Sequence, residues 1–269
     1  MLELNKIYNE PNLVTMSKMP DCFIDLVVTS PPYDELRTYT GEAEWNFEVF
    51  KPIARELYRV IKQGGVIVWI VNDSTTNGSE SGTSFKQALY FKEIGFNLHD
   101  TMIYGKENPI PLTHNRYEQE FEYMFIFSKG KPKCFNPILI KTSNPNAVVN
   151  RARDSRNYDS DAVRFRPEKT ETKEYKQKGN IWKYSVGKSY GDASKHPAIF
   201  PEQLATDHIK SWSNENDIVY DPFMGSGTTG VCAIKLNRQY IGSEISKVYT
   251  EIAVKRAEDE KAQMTIFEL

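Results

Sequence analysis

Thr29-Ser30-Pro31-Pro32-Tyr33 sets a hydroxyl, two prolines and an aromatic ring side by side. Proline fixes φ and has no N–H, so Pro31 and Pro32 give a stiff backbone that can offer only acceptors. That suits a site that holds an amino group. The exocyclic amine of a nucleobase is a poor nucleophile because its lone pair is delocalised into the ring. Two acceptors on its hydrogens, such as Ser30 Oγ and the Pro31 carbonyl, would draw the nitrogen towards tetrahedral geometry and aim the lone pair at an electrophilic carbon. The gain would come from positioning and electrostatics. Tyr33 would stack on a base flipped from its helix. The plainer reading of these five residues is a rigid strand-to-loop turn.

A second segment, Asp221-Pro222-Phe223-Met224-Gly225-Ser226-Gly227-Thr228-Thr229-Gly230, has the make-up of a ligand-binding turn before a helix. Gly225 and Gly227 allow close approach of the backbone, and Thr228 opens the helix. Glu244, at the end of the next strand, can accept both hydroxyl protons of a ribose. A P-loop is excluded, because no Gly-Lys-Ser/Thr follows Gly227. Residues 225–230 satisfy G-x-G-x-x-G, which keeps a nicotinamide oxidoreductase formally open. Only 39 residues follow Gly230, however, too few for the strands such a fold still needs. S-adenosylmethionine needs the glycine turn and the ribose carboxylate without a pyrophosphate cradle. A tight turn with no ligand is the remaining alternative.

Both segments need strands to present them. Ile24–Thr29 is an apolar run broken by Ser-Pro-Pro, which predicts a buried strand. Phe50, Ala54, Leu57, Tyr58 and Ile61 keep helical spacing, and the helix is expected to stop at Gln63-Gly64-Gly65. Val66–Val71 predicts a strand buried on both faces. Asn72–Ser84 reads as a loop that could close over a base, Phe85–Ile94 as a helix, and Leu98–Tyr104 and Phe121–Phe127 as strands. After a stretch of weak periodicity, a helix is expected over 200–212, a strand over Ile218–Tyr220, a helix over 228–236, a strand over Gln239–Ser243 and a last helix from Lys247. This β-α alternation on both sides of an irregular middle predicts one α/β domain.

Length and composition fit that reading. The 269 residues are 39% apolar and 26% charged, with no run long enough to span a membrane, so a cytoplasmic protein is expected. The net charge of −2 conceals an asymmetry. Residues 129–195 carry sixteen Lys/Arg against seven Asp/Glu, and the rest of the chain 18 against 29. A basic segment in an acidic body can attract a polyanion by counterion release. Within it, Arg151, Arg153, Arg156, Arg164, Arg166, Lys173, Lys176 and Lys178 are the candidate DNA contacts. A solvated loop is the alternative. Cys22, Cys134 and Cys232 have no metal or disulfide spacing, and none follows a proline, as a cytosine-C5 nucleophile typically would. No metal site is expected.

Taken together, the two turns resemble those of the DNA amino-methyltransferases, which act on cytosine N4 or adenine N6. Their hallmarks are (Asp/Asn/Ser)-Pro-Pro-(Tyr/Phe/Trp) and Phe-x-Gly-x-Gly, here Ser30–Tyr33 and Phe223–Gly227. Leu57-Tyr58-Arg59-Val60 before Gly64-Gly65, Glu122-Tyr123, and His196-Pro197 with Phe200-Pro201 add to the likeness. The order of catalytic turn, insert and cofactor turn resembles the β-ordered group. That implies a Rossmann-like methyltransferase fold, with a circularly permuted, mostly parallel sheet and helices on both faces. It implies a catalytic half over 1–134, a basic target-recognition insert over 135–190 and a cofactor half over 191–269.

The resemblance further implies S-adenosylmethionine as cofactor and double-stranded DNA as substrate. Asp221, Phe223, Gly225, Gly227, Thr228 and Glu244 would form the cofactor site, and His196, Pro197 and Phe200 would enclose its methionine end. Asn9-Glu10 stands where many relatives have Gly-Asp. Serine at position 30 favours cytosine N4, with adenine N6 as the alternative. A DNA-binding module without catalysis stays open, as do a homodimer and a companion restriction enzyme. Gln263-Met264-Thr265-Ile266-Phe267 resembles a short sliding-clamp motif, and an apolar tail packed on the body is the favoured alternative.

Overall fold

The computed structural model describes residues 2–32, 45–108, 116–146, 148–155, 164–185 and 201–267. It comprises two compact units, Met1–Asn136 with Asn180–Leu269, and Pro137–Gly179.

The first unit is built on an eight-stranded sheet. Its strands are β1 (Lys6–Tyr8), β2 (Ile24–Thr29), β3 (Ile61–Val71), β6 (Asn97–Lys106), β7 (Phe121–Ser128), β12 (Ile181–Tyr184), β13 (Ile218–Asp221) and β14 (Gln239–Ser243). The spatial order is β1-β14-β13-β2-β3-β7-β6-β12. β7 runs antiparallel to both neighbours, and every other pair is parallel. The last two strands of the chain thus sit between its first and second, as a circular permutation requires. β13 and β2 meet where the connections turn in opposite directions, towards β14 and β1 on one side and towards β3 on the other. Ligand sites of open α/β sheets form at such a switch point, outside the carboxyl ends of the strands.

Alternation along the strands divides the core. Val27, Ile67, Trp69 and Val71 face one cluster with Met16, Phe50, Leu57 and Phe91 from α1 (Asn12–Ser17), α2 (Phe47–Val60) and α3 (Thr83–Glu93). The opposite face meets α4 (Glu202–Trp212), where the His208 ring contacts Met124 of β7. α5 (Thr228–Lys235) follows β13, and α6 (Lys247–Phe267) closes the chain. Among the described residues, no helix is long and apolar enough to cross a membrane.

Three expectations need correction. α2 stops at Val60, not at the glycines, and Ile61 already opens β3. Ile61 pairs with Ile24, and the next pair is Leu26 with Val66. Residues 62–65 therefore bulge out of register, and Gly64, at φ +79°, serves that bulge. The bulge brings Lys62 within 2.8 Å of Asp25, which Lys133 and the Ile218 N–H also reach. Burial alone would raise the Asp25 pKa, but these three donors hold it below the ordinary aspartate range.

Asn72–Ser84, read as a loop, contains a hairpin, β4 (Thr75–Thr76) against β5 (Ser79–Glu80). Asn77 and Gly78 both have positive φ, the geometry of a type I′ turn. Asp73 pins the base of this segment by accepting from Ser81 Oγ, from the Ser84 N–H and from Ser84 Oγ.

The middle segment is also more ordered than its periodicity suggests. The second unit contains β8 (Leu139–Lys141) against β11 (Tyr175–Gln177), and β9 (Val148–Ser155) against β10 (Arg164–Glu171). Backbone pairing defines this ribbon, so a search for apolar periodicity passes over it. The unit is also narrower than the expected 135–190, because β12 pairs with β6 in the main sheet.

Candidate active site

The Ser30-Pro31-Pro32 turn leaves the end of β2, and the glycine turn leaves the end of the adjacent β13. Asp221, the last residue of β13, joins them. Its Oδ1 accepts from Thr29 Oγ1 at 2.6 Å and from the Phe223 N–H at 3.0 Å. Its Oδ2 accepts from Thr229 Oγ1 at 2.7 Å. The carboxyl is fully enclosed, and burial pushes its pKa up to about 6 against the pull of these three donors. Asp221 therefore braces the two turns, with both of its oxygens engaged by protein donors.

Glu244 is positioned differently. One oxygen accepts the Gly225 N–H and the other the Ser246 N–H, each at 2.8 Å. Burial raises its pKa, and the backbone donors oppose the rise. A third backbone N–H, that of Ile245, also reaches the carboxylate, which keeps acceptor capacity for a ligand hydroxyl. The segment after Glu244 is tied to the N-terminus. The Glu244 N–H reaches the Tyr8 carbonyl, and Asn9 Nδ2 donates to the Glu244 and Ile245 carbonyls. Glu10 is engaged by Lys18 and Thr15.

The two glycines have different reasons to be glycine. Gly225 takes φ +53° and presents its N–H to Glu244. Gly227 takes φ +89° at the start of α5, and a Cβ there would lie 2.9 Å from the Ala253 Cβ of α6. Gly227 therefore lets two helices approach each other. Arg256 of α6 closes the underside by donating to the Ser226 carbonyl at 2.6 Å. Phe223 wedges edge-on against Trp45, with ring centroids 5.2 Å apart, and against Trp69 at 6.2 Å. Thr228 is buried as α5 begins.

Ser30 and Pro32 are half-buried and Pro31 is buried. Tyr33 lies outside the described residues, as do Arg156, His196, Pro197 and Phe200. In the second unit, Arg153 pairs with Arg166, Arg151 with Glu168, and Arg164 with Ser155. Directly paired residues share a face, so positions 151, 153, 164 and 166 fall on one face of the ribbon. Lys173 and Lys176 are exposed, and Lys178 is half-exposed. Cys232 is buried, with its thiol pushed up to about 11 by burial. Among the described residues, no cluster of His, Cys, Asp and Glu could hold a metal.

Asn12 and Arg256 escaped the sequence reading as parts of this site, and the contacts of Asn9 and Thr229 were not legible in it. Asn12 Nδ2 donates to the Pro222 carbonyl from the far end of the chain. Each of these contacts, Thr229 with Asp221 apart, joins residues distant in sequence.

The profile of the N6/N4 DNA methylase family matches residues 24–255. The orphan methyltransferase M.BamHII of Bacillus amyloliquefaciens is 56% identical over 242 residues, covering 88% of this chain and 89% of that protein. Among solved structures, the cytosine-N4-specific PvuII DNA methyltransferase superposes with a TM-score of 0.69 at 20% identity, over 96% of this chain and 90% of that one. M1.HpyAVI, in a complex with SAM, gives 0.63 at 24% identity, over 93% and 98%.

Proposed function

The chain belongs to the N6/N4 DNA methylase family, and from that premise we propose that it methylates cytosine N4 in double-stranded DNA with S-adenosylmethionine. The observation that carries the reading is the Asp221 brace, which locks the amine-holding turn to the glycine turn at the switch point.

The residues fit the cofactor. Glu244 keeps acceptor capacity towards a ribose, and its orientation is fixed by the backbone N–H groups of Gly225, Ile245 and Ser246. The Gly225 turn is held against β14 by the Met224 N–H on the Ser243 carbonyl. When bound, S-adenosylmethionine supplies a methyl group on a sulfonium. The chain's own work is to hold the amine. Ser30 Oγ and the Pro31 carbonyl accept hydrogen bonds from its two N–H groups and direct the lone pair, and Tyr33 stacks on the flipped base. His196, Pro197 and Phe200 belong to the cofactor wall on the same reading.

The ribbon of β9 and β10 supports a DNA-contact role for the inserted unit. A two-stranded ribbon fits the major groove, and four arginine positions on one face suit phosphate and guanine contacts. The relative at 56% identity is called an orphan methyltransferase, which favours action without a companion restriction enzyme.

The test is transfer of labelled methyl to unmethylated DNA, followed by sequencing that separates N4-methylcytosine from N6-methyladenine. Ser30→Ala and Tyr33→Ala should each abolish most transfer. Robust turnover by both would overturn the assigned mechanism. Because the matching family spans both bases, N6-methyladenine in the product would move the target to adenine.

A further inference from the structure

We propose that Asn72 reads the flipped base, donating from its side-chain Nδ2 to the ring nitrogen beside the reacting amine. The inference rests on the amino-methylation reading and adds a substrate-contacting residue to it.

Asn72 follows β3, the strand beside β2. The last pair of the parallel register is Thr29 with Trp69; continued one residue past the end of β2, it sets Ser30 beside Ile70, and Asn72 is the first residue after β3. Side chains alternate along a strand, so the same continuation puts Ser30, Ile70 and Asn72 on one face. The antiparallel side agrees. Ile70 pairs with Met124 and Val71 with Tyr123, so Asn72 comes level with Glu122, which is ion-paired with Lys106 at 2.9 Å. Asn72 thus stands at the carboxyl edge of the sheet, next to the Ser30 turn.

Its orientation follows from its partners. Asn72 is 9% exposed. Its Oδ1 accepts from the Asp73 N–H at 3.0 Å and from Gln119 Nε2 at 2.9 Å. A backbone N–H is an unambiguous donor, so the atom facing it is the amide oxygen. With both lone pairs of Oδ1 engaged, the group that Asn72 can offer a ligand is its NH2.

A donor beside two acceptors has a defined complement. Ser30 Oγ and the Pro31 carbonyl suit an amine, and the Asn72 NH2 suits a ring nitrogen with a lone pair. Cytosine offers that pair as N4 and N3, and adenine as N6 and N1. Thymine presents a carbonyl and an N–H in the corresponding places and is mismatched at both. Asn72 therefore selects amino bases over keto bases, whichever amino base is the target. Gln119 is a positioning residue that fixes the flip of the amide.

The experiment uses the full chain and duplexes whose target base lacks only that ring nitrogen, 3-deazacytosine or 1-deazaadenine as the methylated base dictates. Wild-type kcat/KM should fall about 10- to 100-fold on the deaza duplex, as expected when a buried donor loses its partner. Asn72→Ala should lose a similar factor on the normal duplex and show little further loss on the deaza duplex. Gln119→Ala should show a partial effect in the same direction. A wild-type enzyme indifferent to the deaza base would overturn the proposal without needing any variant. So would an Asn72→Ala enzyme that keeps the full deaza penalty, which marks a purely structural role. If wild-type protein methylates neither cytosine N4 nor adenine N6, the underlying reading fails instead.

Discussion

Thr29 Oγ1 lies 2.6 Å from Asp221 Oδ1, although 192 residues separate them in the chain. This hydrogen bond joins the ends of β2 and β13, and through them the Ser30-Pro31-Pro32 turn and the glycine turn. Thr29→Val keeps the shape and removes the donor from a buried carboxylate. Unfolding in urea should show a loss of about 1–3 kcal/mol, the usual cost of leaving a buried partner unsatisfied. Methyl transfer should fall by more than the folded fraction does, because the register of the two turns loosens.

Asp221 also sets a pH dependence. Its pKa in the folded protein is raised to about 6 from the ordinary 3.8. The folded state therefore holds this proton more tightly than the unfolded chain, and the Asp221 contribution weakens as pH rises from about 4 to about 6. Above that window the penalty is constant. Asp221→Asn should remove this part of the slope. The asparagine can be accommodated because Thr229 Oγ1 also reaches the Val28 carbonyl, at 3.2 Å, and can turn to accept from the new amide. Urea midpoints for both proteins between pH 4 and pH 7 check this. Parallel curves would count against the raised pKa.

Glu244→Gln tests the ribose acceptor. At least one of the backbone donors Gly225, Ile245 and Ser246 would then face an NH2 group instead of an oxygen. The side chain would have to turn, and acceptor capacity towards the ribose would be lost. Calorimetric titration should show S-adenosylhomocysteine binding weakened about tenfold or more, the scale of one charge-assisted hydrogen bond. NAD should not bind the wild-type protein.

Gly227→Ala separates packing from ligand approach. A Cβ there meets the Ala253 Cβ at 2.9 Å, at a φ of +89°. The variant should lose at least 1–3 kcal/mol from backbone strain alone. Adding Ala253→Gly should recover only the steric share, since the strained φ remains and a helical glycine costs about 1 kcal/mol. Full recovery in thermal unfolding would show that the backbone at Gly227 is unstrained.

The sequence by itself determined the chemistry-bearing turns and the elements that carry them. Ile24–Thr29 and Gln239–Ser243 could be read to the residue, because buried parallel strands are short apolar runs and Ser-Pro-Pro or glycine marks their ends. The two turns were legible because proline and glycine restrict or free the backbone wherever they stand. Tertiary structure alone decided what holds the turns together. Nothing in the sequence ties Asp221 to Thr29, yet its oxygens accept from Thr29, Phe223 and Thr229. Gly64 looked like a helix stop until Ile61 was found paired with Ile24. Asn72 stays in a loop, but one that starts at the end of β3, the strand paired with β2 and β7. Each of these assignments depends on a partner distant in the chain. Local propensity cannot encode such a partner, because the pairing exists only once the sheet has brought the strands together.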